Sequence, residues 1–476
     1  MTTDTPAPCS NCLRLQAEVD ALRAELEGLQ ELLAQVQRQL AASRKDSSNS
    51  SKPPSSDIVK PPKPQPPAGR SRRKRGGQPG HPSHQRALYP PEMLAAPPTD
   101  YLLDACPTCG GHLSVTDAGP IIAQRVEIAA VPLVIHEHRS HPGYCPCCRK
   151  EHYAPFPIAI DRGGLAGPRL TTVIAYLKGP CHASYSTIRK FVRDVIGLTI
   201  SRGQLCKIIG KVSRALERPY EELLGDLPGQ PVLNVDETGH KHGGLRYWTW
   251  CFRAGLYTLF KIDPTRSADV LIDVLGAEFD GVLGCDYFSA YRRYRREFGA
   301  ELQFCLAHLI RDVKYLTTLP DPRDRTYAEG LREALRGLFG VIHRRDEWGE
   351  AEFRRRLAVA RDEVLRRGTR GVPPTRAAAN LAKRFEMHGE SYFRFLTEPG
   401  IEPTNNLAEQ AIRFVVIDRL ITQGTRSDRG DRWCERIWTA IATCGQQGRS
   451  VFAYLEAAVA AWFEGEEAPS LLPRGT

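Results

Sequence analysis

The sequence lacks the features that mark several large classes of protein. It has no stretch approaching the roughly 18 uncharged apolar residues of a membrane span, and its polar, acidic start, Met-Thr-Thr-Asp, does not fit a signal peptide. It also lacks a serine or cysteine nucleophile with a paired base. We therefore expect a cytoplasmic protein.

Length and charge bound the organisation of the chain. At 476 residues it is too long for one core, so about two to four domains with linkers are expected. The net charge is +10, and residues 42–86 hold eleven Lys or Arg against two Asp. Most of the excess charge thus lies in one segment, which indicates a basic arm for a polyanion. In a reducing cytoplasm the fourteen cysteines are thiols or metal ligands rather than disulfides.

Two short apolar runs each stop on an aspartate. Residues 232–236 are Val-Leu-Asn-Val-Asp, and residues 282–286 are Val-Leu-Gly-Cys-Asp. Both patterns are typical of buried strands that carry Asp236 and Asp286 at their carboxyl ends. If the strands are neighbours, the carboxylates repel each other and a cation is expected between them. Oxygen ligands on a rigid scaffold favour Mg²⁺ or Mn²⁺, and a pair of such ions suits phosphoryl displacement.

A third carboxylate is expected in residues 403–413, Pro-Thr-Asn-Asn-Leu-Ala-Glu-Gln-Ala-Ile-Arg. Asn406, Glu409 and Arg413 have helical spacing there and share one face. Glu409 is the candidate metal ligand. The alternative is a local role in which Asn406 caps the helix and Glu409 is its capping-box partner, a geometry that does not exclude metal binding.

These motifs together resemble the DDE transposases of the bacterial insertion-sequence-66 family. The resemblance runs from about residue 43 to the C-terminus. It is carried by Asp-Glu-Thr at 236–238, Asp-Tyr-Phe-Ser-Ala-Tyr at 286–291, Cys-Leu-Ala-His at 305–308, and Asn-Asn-Leu-Ala-Glu at 405–409 with Arg413.

The resemblance implies metal-dependent DNA cleavage and strand transfer. Asp236 is then the ligand that bridges two ions, and Asp286 and Glu409 complete one ion each. Arg413, a turn beyond Glu409, is expected to contact a DNA phosphate, with Asn406 as a second DNA-binding candidate on the same face. Two neighbours are set aside. Glu237 points to the other side of its strand, and His308 is either near the site or a hydrogen-bonded structural residue.

Residues 1–42 are predicted to form a coiled coil. Apolar residues from Leu15 to Leu40 recur in steps of three and four over nearly four heptads, which favours a dimer. The alternative is an amphipathic helix on the protein's own core. Residues 43–98 form a Ser- and Pro-rich linker with too little apolar surface to fold. Either the linker is simply solvated, or it contacts phosphate through the basic cluster Arg72, Arg73, Lys74 and Arg75.

Residues 99–160 hold two Cys-x-x-Cys pairs on a segment with strand-like runs at 124–128 and 133–137. Two such pairs predict a structural zinc ribbon with a closed tetrahedral site. Cys147 could replace the last of the favoured ligands, and His152 is a weaker alternative. The favoured ligands are Cys106, Cys109, Cys145 and Cys148.

Residues 165–225 are helical and fit a helix-turn-helix-like domain, with an ordinary helical bundle as the alternative. The DNA-binding candidates on its second helix are Arg202, Gln204 and Lys207, with Lys211 a turn further on.

The catalytic domain is predicted over residues 230–425. The Asp236 strand, a hairpin at 245–262, a helix at 266–275, the Asp286 strand and a strand at 301–305 follow in the order of the ribonuclease H fold, in which the first and fourth strands are neighbours. An all-helical insertion at about 320–395 precedes Glu409. Residues 424–432 are predicted to be a polar loop, followed by an apolar helix from Trp433, and the C-terminal helices are assigned to 426–476. The expected fold is therefore multidomain: an α/β ribonuclease H-like core with an all-α insertion, preceded by coiled coil, zinc ribbon and helix-turn-helix.

The leading hypothesis is a nucleoid-associated DNA transposase that acts on the ends of its insertion sequence. Its expected cofactors are magnesium or manganese and a structural zinc. Its expected partners are DNA ends and target, further copies of itself through the coiled coil, and accessory proteins of the same element. The alternatives are a nuclease or resolvase on the same fold, and a non-enzymatic zinc and helix-turn-helix regulator.

Overall fold

We describe the protein from a computed structural model. It describes residues 10–43, 88–94, 97–98, 105, 108–110, 122, 124 and 132–472. Residues 139–193 and 198–472 belong with residues 10–43 to one compact unit, and the described residues from 88 to 138 belong with 194–197 to a second. Within the described ranges, no helix is both long enough and apolar enough to cross a membrane.

The first helix, α1, covers Ser10–Ser43. Its apolar side chains are exposed, and Leu15, Leu26 and Leu33 are each more than half accessible to solvent. An exposed leucine row of this length is what a helix needs in order to pair with another helix. The helix itself is confirmed, and its pairing stays a prediction.

A two-stranded hairpin follows in the larger unit. Strands β1 Pro142–Cys145 and β2 Lys150–Tyr153 pair antiparallel. The strand predicted at 133–137 is wrong, because no regular strand is formed there and Val134 and Ile135 are more than four-fifths exposed. A strand needs a partner for its backbone N–H and C=O groups, and none pairs with this run in the part of the chain that the structure describes. Residues 125–128, the other predicted run, lie outside the described residues.

Five helices come next, and two of them begin at serine caps. Ser184 Oγ accepts a hydrogen bond from the Thr187 N–H, and Ser201 Oγ accepts one from the Gln204 N–H, each at 3.1 Å. These contacts fix the starts of the fourth and fifth helices of the chain. The five helices are α2 Ile158–Gly163, α3 Pro168–Lys178, α4 Tyr185–Phe191, α5 Arg202–Ala215 and α6 Glu217–Asp226.

The central sheet has five strands in the order β5-β4-β3-β6-β7. The first three form an antiparallel meander, and β6 and β7 join it in parallel. β6 has a continuous apolar sequence and is buried along its whole length, as expected for an inner parallel strand. The strands are β3 Val232–His242, β4 Leu245–Arg253, β5 Thr258–Asp263, β6 Val282–Cys285 and β7 Glu301–Phe304.

Helices connect these strands and then form the insertion. Three of them, α7 Ala268–Leu275, α8 Ser289–Phe298 and α9 Leu306–Leu316, follow β5, β6 and β7 in turn. The insertion is a set of three longer helices in which Gly368 lets two of them approach closely, because a Cβ there would meet the Phe385 ring at 2.5 Å. Those three are α10 Pro322–His343, α11 Glu350–Thr369 and α12 Arg376–His388.

The last three helices are α13 Asn406–Thr422, α14 Asp428–Gln446 and α15 Val451–Glu464. α14 begins earlier than the predicted start at Trp433, because Ser427 accepts a hydrogen bond from the Gly430 N–H and acidic residues occupy the first turn. The predicted polar loop over 424–432 is therefore wrong in its second half.

Helix α14 also closes the free edge of the sheet. Thr443, Thr439 and Glu435, spaced by four residues on one helical face, accept hydrogen bonds from the backbone N–H groups of Thr258, Phe260 and Ile262 at 3.2, 3.1 and 2.7 Å. β5 is thus an edge strand whose donors are satisfied by side chains, so it does not template pairing with another chain.

Candidate active site

Asp236 and Asp286 lie level at one edge of the central sheet. β3 and β6 are parallel with Asn234 opposite Gly284, so two residues further each strand reaches its aspartate. Glycine is required at 284, because a Cβ would meet the Asn234 amide nitrogen at 2.4 Å and hold the strands apart. Each aspartate accepts a hydrogen bond from a nearby backbone N–H, at 2.9 Å for Asp236 and 2.8 Å for Asp286.

Asn405 holds the start of helix α13 against this edge. Its side-chain amide donates to the Val235 carbonyl at 2.7 Å and accepts from the Asn234 amide at 3.1 Å. Its backbone N–H donates to the Cys305 sulfur at 3.1 Å. Asn405 is 1% exposed, so these bonds form where unpaired polar groups are costly. They bring Glu409, one turn further, to the strand that carries Asp236.

The capping box that was the alternative role for Asn406 and Glu409 is not formed at this helix. Asn406 is the first residue of α13 and is exposed, and the flanking Asn405 makes no side-chain cap. The reason is that the Asn405 amide is already used by β3. The carboxylate of Glu409 is turned toward α9 and is thus available as a ligand.

Two of the three carboxylates have raised pKa values. Burial, followed by the charges of Glu237, Asp286 and Glu409, holds the pKa of Asp236 well above its usual range. Burial and the charge of Glu237 raise the pKa of Asp286 to about 7. Both shifts have the sign expected for carboxylates crowded together in a weakly solvated place. A cation at this edge relieves the repulsion.

Two side chains of α9 contact Glu409. Arg311 Nη2 donates to Glu409 Oε1 at 3.3 Å, and His308 Nδ1 lies 3.6 Å from the same oxygen. Burial, and then the charge of Arg311, lowers the pKa of His308 to about 4, so the ring is neutral near pH 7. His308 is therefore close to the carboxylates. The sequence analysis did not select Arg311, although it lies three residues after His308 on the same helical face.

Glu237 has buried partners of its own, although its charge also acts on Asp236 and Asp286. Its carboxylate accepts from Arg266 Nε at 2.8 Å and from the Tyr291 hydroxyl at 2.5 Å. The Arg266 guanidinium in turn packs 4.0 Å from the Phe288 ring centroid and 4.8 Å from that of Trp248. Glu237 is thus held in a buried structural ion pair.

The predicted DNA-contact residues are spread over several elements. Asn406 and Arg413 are exposed on α13 beside Glu409. On α5, Lys207 is exposed and Gln204 half-buried, while Arg202 donates to Ser186 Oγ at 2.9 Å. The Lys211 amine, further along α5, donates to the Gly163 carbonyl at 2.7 Å and is less available to a ligand. The basic cluster at 72–75 lies outside the described residues.

The structure describes the side chains of only some of the predicted zinc ligands. Cys147 and Cys148 are both exposed in the turn between β1 and β2, and Cys109 is exposed in its own unit. Cys106 lies outside the described residues, as do the side chains of Cys145 and His152. The zinc ribbon and the choice between Cys147 and Cys148 therefore stay predictions.

Among the described residues, two groups of three side chains have potential metal-ligand atoms close together. They are Cys305, His308 and Glu409, and, at the far end of β3, His242, Asp428 and Asp431. His242 Nδ1 is 2.5 Å from Asp431 Oδ2, its Nε2 is 3.8 Å from Asp428 Oδ1, and these ligand atoms could hold a metal ion. Asp431 also accepts from the Thr425 hydroxyl, which bonds His240 Nε2 at 3.0 Å. This network fastens the loop after α13 to β3.

Comparison with known proteins identifies the family of this chain. Residues 163–432 match the family described as "Transposase IS66 family", which is more than half of the chain. The chain belongs to the IS66 transposase family. Asp236, Asp286, Glu409 and Arg311 all lie within the matched residues of this IS66-family protein. Residues 5–87 match a separate family of unknown function, DUF6444.

The IS66-family chain is also similar to the uncharacterized protein y4qI of Sinorhizobium fredii. The two are 23% identical over 319 residues, which are 61% of this chain and 59% of y4qI. The chain thus matches less than two thirds of the length of that relative.

Proposed function

We propose that this IS66-family protein is a DNA transposase that binds the ends of an insertion sequence, cuts them and joins them to target DNA. The observation that carries the proposal is the grouping of Asp236, Asp286 and Glu409 at one sheet edge, although 50 and 123 residues separate them in sequence.

The strand order supports a ribonuclease H-like catalytic core. Counted along the chain, the first strand of the sheet lies between the second and the fourth, and only the last two strands join it in parallel. This is the topology in which aspartates at the ends of the first and fourth strands are neighbours. The helical insertion α10–α12 follows the fifth strand and leaves that order unchanged.

The residues at the edge fit divalent cations. Their donors are carboxylate oxygens from Asp236, Asp286 and Glu409, and hard oxygen ligands are those that magnesium and manganese prefer. The crowding of these negative charges is a second reason to expect cations there. Two such ions supply activation of the attacking oxygen and stabilisation of the leaving oxygen in phosphoryl transfer.

The neighbouring side chains position DNA and the third ligand. Arg311 and His308 fix Glu409 from the side of α9. Arg413, exposed one turn beyond Glu409, can grip a phosphate through two parallel hydrogen bonds. Asn406, exposed on the same face, can donate to the same strand.

The other modules would supply affinity and specificity. The basic cluster Arg72–Arg75 is suited to sequence-independent phosphate contact. The exposed face of α5, with Gln204 and Lys207, is suited to base contacts if α4 and α5 act as a helix-turn-helix. The leucine row of α1 would join two copies, so that two DNA ends are held together. The cysteines of 99–160 would fold that segment around zinc.

The deciding experiment is incubation of the purified protein with labelled DNA from both flanks of its gene, with magnesium. We expect 3′-end nicks and joined products, and neither in EDTA. Products that are cut and never joined would identify a nuclease or resolvase instead. Specific binding without cutting would identify a regulator. In that case the Asp236→Ala protein should keep its activity in cells.

A further inference from the structure

Helix α13 continues past Glu409 with an apolar stripe that faces solvent. The stripe consists of Ile417, Leu420 and Ile421, whose exposed fractions are 49%, 64% and 53%. Single exposed aliphatic residues are ordinary, but three on adjacent turns of one helix form a surface that gains free energy by being covered.

The stripe is aligned with the carboxylates. Leu420 follows Glu409 by eleven residues, which is about three complete turns and roughly 16 Å along the helix axis. The two side chains therefore leave the helix in nearly the same direction. Arg413 lies between them on the same side and is exposed. A ligand that runs along α13 from the sheet edge meets a cation first and the apolar stripe next.

The surroundings of the stripe are cationic. The loop after α13 is tied to the β3–β4 hairpin, since Thr425 N–H donates to the Lys241 carbonyl at 2.8 Å and Gly243 N–H donates to Thr425 at 2.9 Å. Asp428, the residue after this loop, is an exposed carboxylate beside His242, but in α13, the loop itself (423–427) and the hairpin tip (241–246) every exposed charged side chain is positive. Those side chains are Lys241, Arg246, Arg413 and Arg426.

We propose that the apolar stripe binds the bases of unpaired DNA at the end that the protein cuts. The occupant must be a polyanion with accessible apolar faces. Duplex DNA offers phosphates but keeps its base faces stacked, whereas an unpaired strand offers both, and aliphatic side chains such as Leu and Ile contact base faces where steps are unstacked. The surface is also continuous with Glu409, where the cut end has to be held.

The stripe then has a defined place in the reaction. Bases a few positions from the cut phosphate would rest on Leu420 and its neighbours, roughly 16 Å along the helix axis from Glu409, and the adjacent duplex would be opened there. This inference rests on the proposed transposase function for the location of the cut, but the binding of unpaired DNA is measurable without any cutting.

The first test is binding by the full-length protein. We would compare fluorescent oligothymidine of about 16 nucleotides with a duplex of equal length. The double variant Leu420→Gln/Ile421→Gln should lose about tenfold in affinity for the single strand and little for the duplex, because the two aliphatic side chains would no longer bury apolar surface against the bases. Leu256→Gln, at a leucine 58% exposed in the β4–β5 turn, is the matched control, and Leu420→Met should retain binding.

The second test uses element ends that carry 2-aminopurine near the cut, with calcium in place of magnesium. The parent protein should raise the fluorescence by unstacking the base, and the double variant should not. In magnesium, the variant should cut paired ends about tenfold more slowly than the parent, yet cut ends with a pre-formed mismatch at a similar rate.

Three results would overturn the inference: equal loss on paired and mismatched ends, unchanged single-strand affinity in the variant, or a variant that loses a subunit contact in solution, since the stripe would then bind a second copy. A parent protein that binds single strands through the stripe but cuts no DNA would instead refute the proposed function and leave this inference standing.

Discussion

Asp286→Asn should make the metal-free protein more stable, and more so as the pH rises. Burial and Glu237 raise the pKa of Asp286 from an ordinary 3.8 to about 7. Below pH 4 the carboxyl is protonated in both folded and unfolded chains and costs nothing. As the pH rises from about 4 to about 7, this carboxyl loses its proton in the unfolded chain but keeps it in the folded chain. The folded state is therefore destabilised over that range, and the destabilisation is complete above pH 7. An asparagine does not titrate and avoids it.

The size of the effect follows from the shift. Three pKa units correspond to about 4 kcal/mol, and because Asp286 is only half-buried, solvent screening lowers the expected gain to about 2 kcal/mol at pH 8. The amide oxygen of asparagine can still accept the 2.8 Å hydrogen bond from the Phe288 N–H, so the substitution removes charge and little else. The gain should vanish near pH 4.

Urea unfolding in EDTA, followed by tryptophan fluorescence, measures this gain. All six tryptophans lie between residues 248 and 462, so the signal reports the unit that contains the sheet. Asp280→Asn, an exposed aspartate just before β6, is the matched control and should change stability by less than about 0.5 kcal/mol at any pH. Magnesium should stabilise the parent more than Asp286→Asn. A variant that is less stable than the parent at pH 8 would refute the proposed charge crowding.

The remaining predictions concern separate parts of the chain. Asp236→Asn and Glu409→Gln should each abolish cutting and joining but keep end binding. The double variant should lose no more activity than either single variant, because one missing ligand already disables the metal site. Gel assays of joined products measure this. Asn405→Ala should lower the free energy of unfolding by about 1–3 kcal/mol, since Val235 and Asn234 lose buried partners, and urea titration measures it. Neutralising Arg72–Arg75 should weaken binding to all DNA alike and flatten the logarithmic salt slope by about 0.9 per lost phosphate contact. Cys106→Ser should lower the zinc content from about one per chain, as measured by elemental analysis.

The sheet was predictable because its signals are local. The strands at Asp236 and Asp286 are visible in the sequence as apolar runs. The aromatic hairpin between them has the alternation of apolar and polar residues that is typical of half-buried strands. Their pairing follows from the strand order, which the register of β3 and β6 confirms. The error at 133–137 has the opposite cause, since an apolar, β-branched run predicts a strand whether or not a partner strand exists.

The role of Asn405 could not be read from sequence. The spacing of Asn406 and Glu409 fits a capping box, and only the contact with Val235, 170 residues earlier, shows that the neighbouring asparagine is used differently. Arg311 was missed for a similar reason. Most arginines in the middle of a helix face solvent, so the sequence gives no reason to single out this one. Arg311 belongs to the site only because it faces Glu409 across the interface between α9 and α13.

The same contacts explain how the third ligand tolerates a long insertion. Three helices, α10 to α12, separate α9 from α13, yet Glu409 does not depend on their length for its position. Leu306 N–H, at the start of α9, donates to the Pro403 carbonyl at 2.9 Å, two residues before the Asn405 clamp on β3. Both ends of the insertion are thus fastened beside the sheet edge by short-range bonds. Changes within the insertion should therefore affect stability or partner contacts rather than the positions of the carboxylates. A single substitution at Asn405, in contrast, should shift Glu409 relative to Asp236.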